Sequence, residues 1–201
     1  PLLPVYPANY GATSVQHGPS QASSLWFVYL AFCFPALAGF QFGYDIGAAS
    51  GAVGSLGREI GSLSSAKTSL LTSASLFGAT AGSILAVLVG EALGRRRELI
   101  AGSALYAAGT VVTIFSPATT GSQVISFVLA GRITYGVGIA LSMNAAPLYI
   151  AEIAPARVRG RLVSLKEAFI VLGILCGFAA SAIFEHALPP SEAWRAIWAP
   201  P

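Results

Sequence analysis

Four ionisable residues lie inside long apolar runs of this sequence, where a charge is costly. They are Asp45, Arg132 and the adjacent pair Lys166 and Glu167. A single charge in hydrocarbon costs several kcal/mol, whereas a hydrogen-bonded acid–base pair costs much less. Ionisable residues inside membrane spans mark ion paths, proton relays or ligand contacts. These residue types therefore indicate proton transfer or polar ligand binding within a membrane.

The composition indicates which solvent surrounds the elements that hold these residues. The chain has 201 residues, of which 55% are hydrophobic and only 9% are charged, whereas about 25% of residues are charged in soluble domains. So few charges cannot cover the surface of a water-soluble globule of this size. The net charge of +3 does not indicate a nucleic-acid partner, because six of the eleven basic residues form two short arginine clusters between apolar runs. We expect a lipid bilayer as partner and no nucleic acid.

Five apolar runs each meet or approach the ~20 residues that cross ~30 Å of hydrocarbon as a helix. The predicted spans are about residues 25–53, 68–90, 99–116, 123–150 and 162–184, and a sixth span begins at Trp194 and is truncated. Residues 1–24 carry four prolines and no apolar period, which is typical of a flexible tail. The sequence therefore predicts an all-α, multi-span transmembrane helix bundle.

The connections predict the orientation of the spans. The links after the second and fourth runs contain arginine clusters, at 95–97 and at 157, 159 and 161, and the link between the third and fourth runs has no charge. Cytoplasmic loops collect Arg and Lys, so we expect both clusters and residues 1–24 to be cytoplasmic. Small residues also recur every four positions on three runs, which lets helix backbones approach closely. These stripes are Gly39, Gly43, Gly47 and Gly51; Gly78, Gly82, Ala86 and Gly90; and Gly173 with Gly177.

Depth estimates leave the roles of the four charges open. Nine residues at 1.5 Å each place Arg132 about 13 Å below the outer end of its span. Asp45 lies about 12 Å below the outer end if its helix continues to Val53, and caps the outer end if it does not. A buried Asp45–Arg132 pair is a possible proton-coupling device, because protonation removes half of the attraction. Lys166 and Glu167 point about 100° apart on a helix, so one lines an interior path, or both reach the cytoplasmic interface.

Five motifs in order resemble the sugar-porter branch of the major facilitator superfamily. They are Gly43-Tyr44-Asp45; Gly94-Arg95-Arg96-Arg97; Gly131-Arg132 with Gly136 and Gly138; Pro147, Tyr149, Ala151-Glu152, Pro155 and Arg159-Gly160; and Ser164-Leu165-Lys166-Glu167 with Gly173. The last motif is most similar to xylose-symporter-like and vacuolar or plastid glucose-transporter members. The resemblance implies twelve helices in two halves of inverted repeats. Residues 25–201 would be the N-terminal transmembrane half, and a C-terminal six-helix half would be the missing partner.

The resemblance also implies roles for individual residues. Asp45 is similar to the proton-coupling acid of the symporters and Arg132 to its partner, which favours the buried position, and H⁺ is then the coupling ion with no other cofactor or metal. Phe42 matches an aromatic residue that lines the sugar cavity. Glu167 stands where many sugar porters carry a glutamine, and an ionised carboxylate accepts hydrogen bonds from sugar hydroxyls but donates none.

A cytoplasmic gating network is implied by the loop motifs. The family pattern expects an acid and a base before Gly94, and here Glu91 keeps the acid while Ala92 replaces the base. In the family, the charges of this loop, here Glu91, Arg95 and Arg96, pair with those of the next inside loop, here Glu152 and Arg159, and hold the inner end closed. Topology alone accounts for the arginines, but it leaves the two glutamates unexplained.

The resulting prediction is a transmembrane hexose or pentose transporter that works by proton-coupled symport and alternating access. A passive facilitator is the near alternative, and a non-transporting sugar sensor or truncated membrane subunit is the alternative from another class. An enzyme is not expected, because no phosphate-binding glycine loop and no metal-ligand cluster occur, and the two histidines lie outside the spans. Plasma, vacuolar and plastid envelope membranes all fit this pattern.

Overall fold

The protein is described here from a computed structural model that covers residues 21–61, 63–116 and 121–199, without the side chains of 21–25, 89 and 91. Within these ranges all regular secondary structure is α-helical, and no strand occurs. The all-α bundle that the sequence predicts is therefore confirmed. The predicted tail falls mostly on residues 1–20, which lie outside the described residues.

Helix α1 is longer at both ends than the apolar run that predicted it. It extends over Gln21–Ile60, forty residues that include Pro35, instead of 25–53. Residues 21–24, expected to belong to a flexible tail, form its first turn. A helix of this length is about 60 Å long, twice the hydrocarbon thickness. It ends where Gly61 takes a positive φ of 78°. Because α1 continues fifteen residues past Asp45, this residue is not a helix cap.

The next four helices also extend into polar flanks. They are α2 Ser65–Leu93, α3 Arg95–Ile114, α4 Gly121–Ile153 and α5 Ala156–Ala187, for predicted spans 68–90, 99–116, 123–150 and 162–184. Only Gly94 separates α2 from α3, with φ 77° and ψ 150°. A side chain with a Cβ rarely adopts that φ, so this glycine permits the tight reversal between the two helices.

The last helix, α6, begins earlier than its apolar residues indicated. It occupies Pro190–Trp198, rather than starting at Trp194. Pro190 stands at the first helical position, where the missing amide proton removes no helical hydrogen bond. Trp194, Ile197 and Trp198 are buried against the rest of the bundle.

Four of the described helices have the length and apolar composition to cross a membrane: α1, α2, α4 and α5. The prediction was five complete spans, and α3 is the one outside this set. Its 20 residues are long enough, but its first turn is Arg95-Arg96-Arg97-Glu98, which lowers the mean hydropathy of so short a helix.

Close helix crossings build the bundle, as the stripes of small residues predicted. Helix α1 packs along α5, and α4 packs between α2 and α3. A Cβ at Gly43 or Gly173 would collide with the backbone of the facing helix at Ile170 or Phe40 respectively. Gly109 and Gly131 of α3 and α4 lie against each other in the same way. Where lipid gives helices no hydrophobic drive to associate, such backbone contact supplies the packing energy.

Contacts of charged residues show which helix ends lie together at each end of the bundle. At one end, Arg58 of α1 pairs with Glu185 of α5 at 3.0 Å, and Trp194 of α6 donates a hydrogen bond to Glu59. At the other end, Arg95 at the start of α3 lies 3.6 Å from Glu152 near the end of α4. This grouping matches alternate up and down helices.

Candidate functional site

A buried ion pair joins α1 to α4 in the middle of the bundle. Arg132 donates hydrogen bonds from Nη1 to Asp45 Oδ1 and from Nη2 to Asp45 Oδ2, the latter at 2.9 Å. Asp45 is 4% exposed and Arg132 is 3% exposed. A two-pronged guanidinium–carboxylate contact is among the strongest hydrogen-bonded pairs in proteins. The predicted pairing of these two residues is therefore present.

A third helix contributes Ser75 to the same cluster. Its hydroxyl donates to Asp45 Oδ2 at 3.1 Å and accepts from Arg132 Nη2 at 3.1 Å. Gly136, one helical turn after Arg132, lies directly against the backbone of Ser75 and Ala79. That close crossing of α2 and α4 brings Ser75 within reach of the pair. Sequence reasoning missed Ser75, because nothing distinguishes it from the other serines of α2.

Aromatic side chains enclose the guanidinium of Arg132. Its Cζ atom lies 5.4 Å from the ring centre of Tyr135 and 5.1 Å from that of Trp198. Tyr106 packs edge-on against Tyr135 with 4.7 Å between ring centres. A cavity of about 10 Å³ beside the pair is lined by Asp45, Thr110, Thr113, Arg132, Tyr135 and Trp198, which is room for no more than one water molecule. The pair is thus shielded from bulk solvent in this conformation.

The two residues predicted to contact sugar lie apart from this pair. Phe42 is half-buried, one helical turn before Asp45, against the cluster of Tyr106, Tyr135 and Ile139. The side chain of Glu167 is 60% exposed on α5. The ion pair described for Glu167 is with Lys166 and not with the central pair.

Lys166 and Glu167 meet although they point in different directions. Lys166 is buried against Gly39 of α1, and its Nζ atom lies 2.8 Å from Glu167 Oε1. As expected for adjacent helical positions, one side chain is buried and the other is exposed. Their charged ends nevertheless meet. The long lysine stem bends round the helix to reach the neighbouring carboxylate. Neither alternative predicted this local ion pair.

The residues predicted to form a cytoplasmic gating network meet only in part. Arg95 contacts Glu152, whereas Arg159 donates to the backbone oxygen of Ala154 at 3.3 and 3.4 Å. Ala154 directly follows α4, where backbone carbonyl oxygens lack helical partners. The guanidinium of Arg159 donates to this oxygen, which the carboxylate of Glu152, itself an acceptor, cannot do. Arg96 is exposed and lines a cleft of about 520 Å³ beside Tyr149. The side chain of Glu91 lies outside the described residues.

Glu98 is a further buried carboxylate, and sequence reasoning missed it. It is fully buried at the start of α3, accepts a hydrogen bond from Asn144 Nδ2 at 2.8 Å and lies 3.7 Å from Arg95. Gly90 leaves the space that its carboxylate fills. The available signal was its position three residues after Arg95, since side chains at that spacing on a helix are neighbours. Arg95 therefore lies between one buried and one exposed carboxylate.

A bundle of apolar helices with a buried acid–base pair defines a multi-pass membrane protein, and its fold is the N-terminal half of a major facilitator bundle. The structure of the xylose transporter XylE from E. coli in a partially occluded inward open conformation is similar, with a TM-score of 0.75, 25% sequence identity, and coverage of 86% of this chain and 46% of that one. The profile of the family described as "Sugar (and other) transporter" matches residues 31–199. The chain belongs to this sugar transporter family.

Curated relatives agree with this assignment. The D-xylose-proton symporter-like 3, chloroplastic, of Arabidopsis thaliana is 48% identical over 161 residues, which cover 77% of this chain and 28% of the relative. The D-xylose-proton symporter-like 1 of the same plant is 44% identical over 174 residues, or 84% of this chain and 33% of that protein. The galactose-proton symporter of E. coli K12 is 32% identical over 181 residues. The chain thus spans about a third of the length of these relatives.

Proposed function

We propose that this chain is the amino-terminal half of a proton-coupled sugar symporter that works by alternating access, with H⁺ as the coupling ion and no enzymatic step. The observation that carries the proposal is the buried contact between Asp45 and Arg132. A second six-helix half would complete the sugar cavity, in keeping with the share of its relatives that this chain spans. The named relatives and the similar structure, which are symporters or xylose transporters, support this function.

The pair couples a proton to helix movement through its charge. While Asp45 is ionised, it holds Arg132, so that α1, α2 and α4 are fastened at one point through Ser75. Protonation removes the negative charge and leaves a weaker hydrogen bond from the cationic guanidinium to a neutral carboxyl group. The helices then separate more easily at this point, which favours the conformation that opens the cavity to the other side.

Sugar recognition in this proposal rests on Phe42 and Glu167. The aromatic face of Phe42 supports the apolar side of a sugar ring, and the carboxylate of Glu167 accepts hydrogen bonds from its hydroxyls. Lys166 at 2.8 Å offsets the negative charge of Glu167, so a neutral sugar does not meet an uncompensated carboxylate. Names of relatives include xylose, galactose and myo-inositol, so we propose a neutral hexose, pentose or cyclic polyol as substrate.

A passive facilitator is the second candidate, because one relative at 35% identity is named a facilitated glucose transporter. Facilitated diffusion needs no titratable group in the membrane, and a buried acid–base pair would then have only a structural role. The burial of the pair away from water and at a three-helix junction favours coupling, since such a charge is expensive to keep.

Uptake into lipid vesicles distinguishes the two candidates. The transporter, with both halves, is reconstituted in proteoliposomes, and radiolabelled sugar is supplied outside with an acidic external buffer. We expect accumulation above the external concentration, which collapses when a proton ionophore is added. Sugar concentrations that become equal inside and outside the vesicles, despite the acidic external buffer, would identify a facilitator. A lack of uptake with retained sugar binding would favour a sensor.

The Arg95–Glu152 contact predicts a modest effect on the resting conformation. In the same reconstituted transporter, Glu152→Gln should raise the population that is open to the cytoplasm by up to about fivefold, because an exposed ion pair is worth about 0–1 kcal/mol. Distances between spin labels on the inner ends of the two halves report this population. Glu192→Gln, at the opposite end of the bundle on α6, is the control and should change nothing. An unchanged distance distribution in Glu152→Gln would leave the cluster with a topological role only.

A further inference from the structure

The final turn of α6 lies directly on the proposed proton site. Trp198 is 4% exposed, and its ring faces the Arg132 guanidinium at 5.1 Å. This helix comes from a different part of the chain from the three helices that form the cluster of Asp45, Ser75 and Arg132. A distance within 6 Å of an aromatic ring centre is in the range of a favourable cation–π contact.

The face of the indole, not its polar edge, makes this contact. Among the described residues, Trp198 Nε1 has no hydrogen-bond partner although it is buried. Its neighbour Trp194, packed edge-on at 6.2 Å between ring centres, instead donates its Nε1 proton to Glu59. The placement of Trp198 is therefore explained by its contact with a cation rather than by a hydrogen bond. Asp45 and Ser75 hold the edge of the same guanidinium, where its N–H groups point.

We infer that Trp198 is a positioning residue for proton coupling, which stabilises the Arg132 cation once Asp45 has taken up a proton. This inference rests on the function proposed above. When Asp45 is ionised, its carboxylate compensates the charge of Arg132. When Asp45 is neutral, the guanidinium is a desolvated cation that has lost its carboxylate partner. The described groups that still attract it are the rings of Trp198 and Tyr135 and the hydroxyl oxygen of Ser75. A desolvated cation–π contact is worth about 2 kcal/mol.

The same geometry connects the proton site to α6. Tyr44, the residue before Asp45, donates a hydrogen bond from its hydroxyl to the backbone oxygen of Ile197 at 2.9 Å. Ile197 in turn precedes Trp198. One turn of α6 thus contacts both Tyr44, which precedes Asp45 on α1, and the Arg132 cation of α4. A change in the protonation of Asp45 would alter how firmly this turn is held.

Other titratable groups also face the pair and must be considered in a titration. Tyr106 of α3 and Tyr135 of α4 interact electrostatically with Asp45, and Tyr44 of α1 interacts with Tyr135 and with Cys176 of α5. Helix α2 contributes the uncharged Ser75. From α6, Arg195 packs on the ring of Trp194 and donates to Ser116. Tyrosines carry no charge near neutral pH, so Asp45 is the acidic group that contacts Arg132 directly.

Infrared difference spectroscopy of the transporter in lipid tests the inference without measuring transport. The carbonyl stretch that appears on acidification and is absent in Asp45→Asn reports the protonated Asp45. In Trp198→Leu we expect the midpoint of this band to move to lower pH by about one unit, because one unit corresponds to 1.36 kcal/mol. Trp198→Phe keeps an aromatic face and should move the midpoint by less than half as much.

Trp194→Leu is the matched control, because it removes a buried tryptophan from the same helix and leaves the Trp198 ring on Arg132 in place. Loosened packing of α6 would move the midpoint in this variant at least as far as in Trp198→Leu. An unchanged midpoint in Trp198→Leu, or an equal shift in Trp194→Leu, would overturn the inference. A passive facilitator would fail the vesicle assay yet still give this infrared result, so failure of the inference and failure of the proposed function are distinguishable.

Discussion

Replacement of Asp45 by asparagine should abolish uphill sugar accumulation while sugar exchange across the membrane continues. Asparagine has nearly the same shape and still accepts a hydrogen bond from Arg132, but it cannot bind a proton in this range. In a one-to-one symporter, a pH difference of one unit supplies about 1.4 kcal/mol per proton, which sustains about tenfold accumulation. We expect the accumulation ratio of Asp45→Asn to fall to one in the vesicle assay.

Two variants make this result specific to the buried pair. Asp45→Glu retains a titratable carboxylate and should keep measurable accumulation. Glu185→Gln removes a carboxylate from the ion pair with Arg58 at the end of the bundle and should accumulate sugar as the parent does. If Asp45→Asn still concentrates sugar from an acidic medium, the pair is structural and the proton must be coupled at another residue.

A single methyl group at Gly136 should destabilise the bundle strongly. A Cβ there would lie 2.8 Å from the Ala79 nitrogen and 2.9 Å from the Gly78 Cα, and closer still to the Ser75 carbonyl oxygen. Backbone atoms cannot move aside as a flexible side chain would, so α2 and α4 must separate. Overpacking of this kind costs about 1–3 kcal/mol, and we expect Gly136→Ala to lower the midpoint of thermal unfolding by roughly 2–12 °C.

Gly160→Ala is the matched control for the same chemical change. Gly160 lies on α5 with nothing within 4 Å of an added Cβ, and alanine is favoured over glycine in helices by about 1 kcal/mol. Its unfolding midpoint should stay constant or rise. Equal midpoints for the Gly136→Ala and parent proteins would contradict the backbone crossing described here. Because Ser75 lies at this crossing, Gly136→Ala should also weaken proton-coupled accumulation.

The sequence by itself determined the helical class, the order of the helices and the identity of the central pair. Inside a bilayer every backbone polar group needs a partner within the protein, and a continuous apolar run of about 20 residues meets this need as a helix. The cost of a buried charge made Asp45 and Arg132 candidate partners, and the resemblance to sugar porters favoured their buried pairing. The glycine spacing of α1, α2 and α5 predicted close crossings for the same reason, since only small residues permit backbones to touch.

Helix ends were predicted less well. Hydropathy marks the part of a helix that lies in lipid, whereas the hydrogen-bonded helix can continue into polar residues outside it. Helix α1 continues through Arg58 and Glu59 to Ile60, and α5 begins at Ala156 although Arg157, Arg159 and Arg161 follow. Polar residues form helices readily in water. The ends therefore fall at Gly61, Gly94 and Pro155, where backbone geometry changes, and not where polarity begins.

Only the tertiary structure decided which side chains share a site. Ser75 and Trp198 lie far along the chain from Asp45 and Arg132, and Glu98 lies far from Asn144. These groups meet because particular helices cross at particular depths. Arg95 contacts Glu152, whereas Arg159 donates to the backbone oxygen of Ala154. Contacts between helices depend on their rotation and separation to within about an ångström, since packed interiors leave few voids. No periodicity of a single chain contains that information.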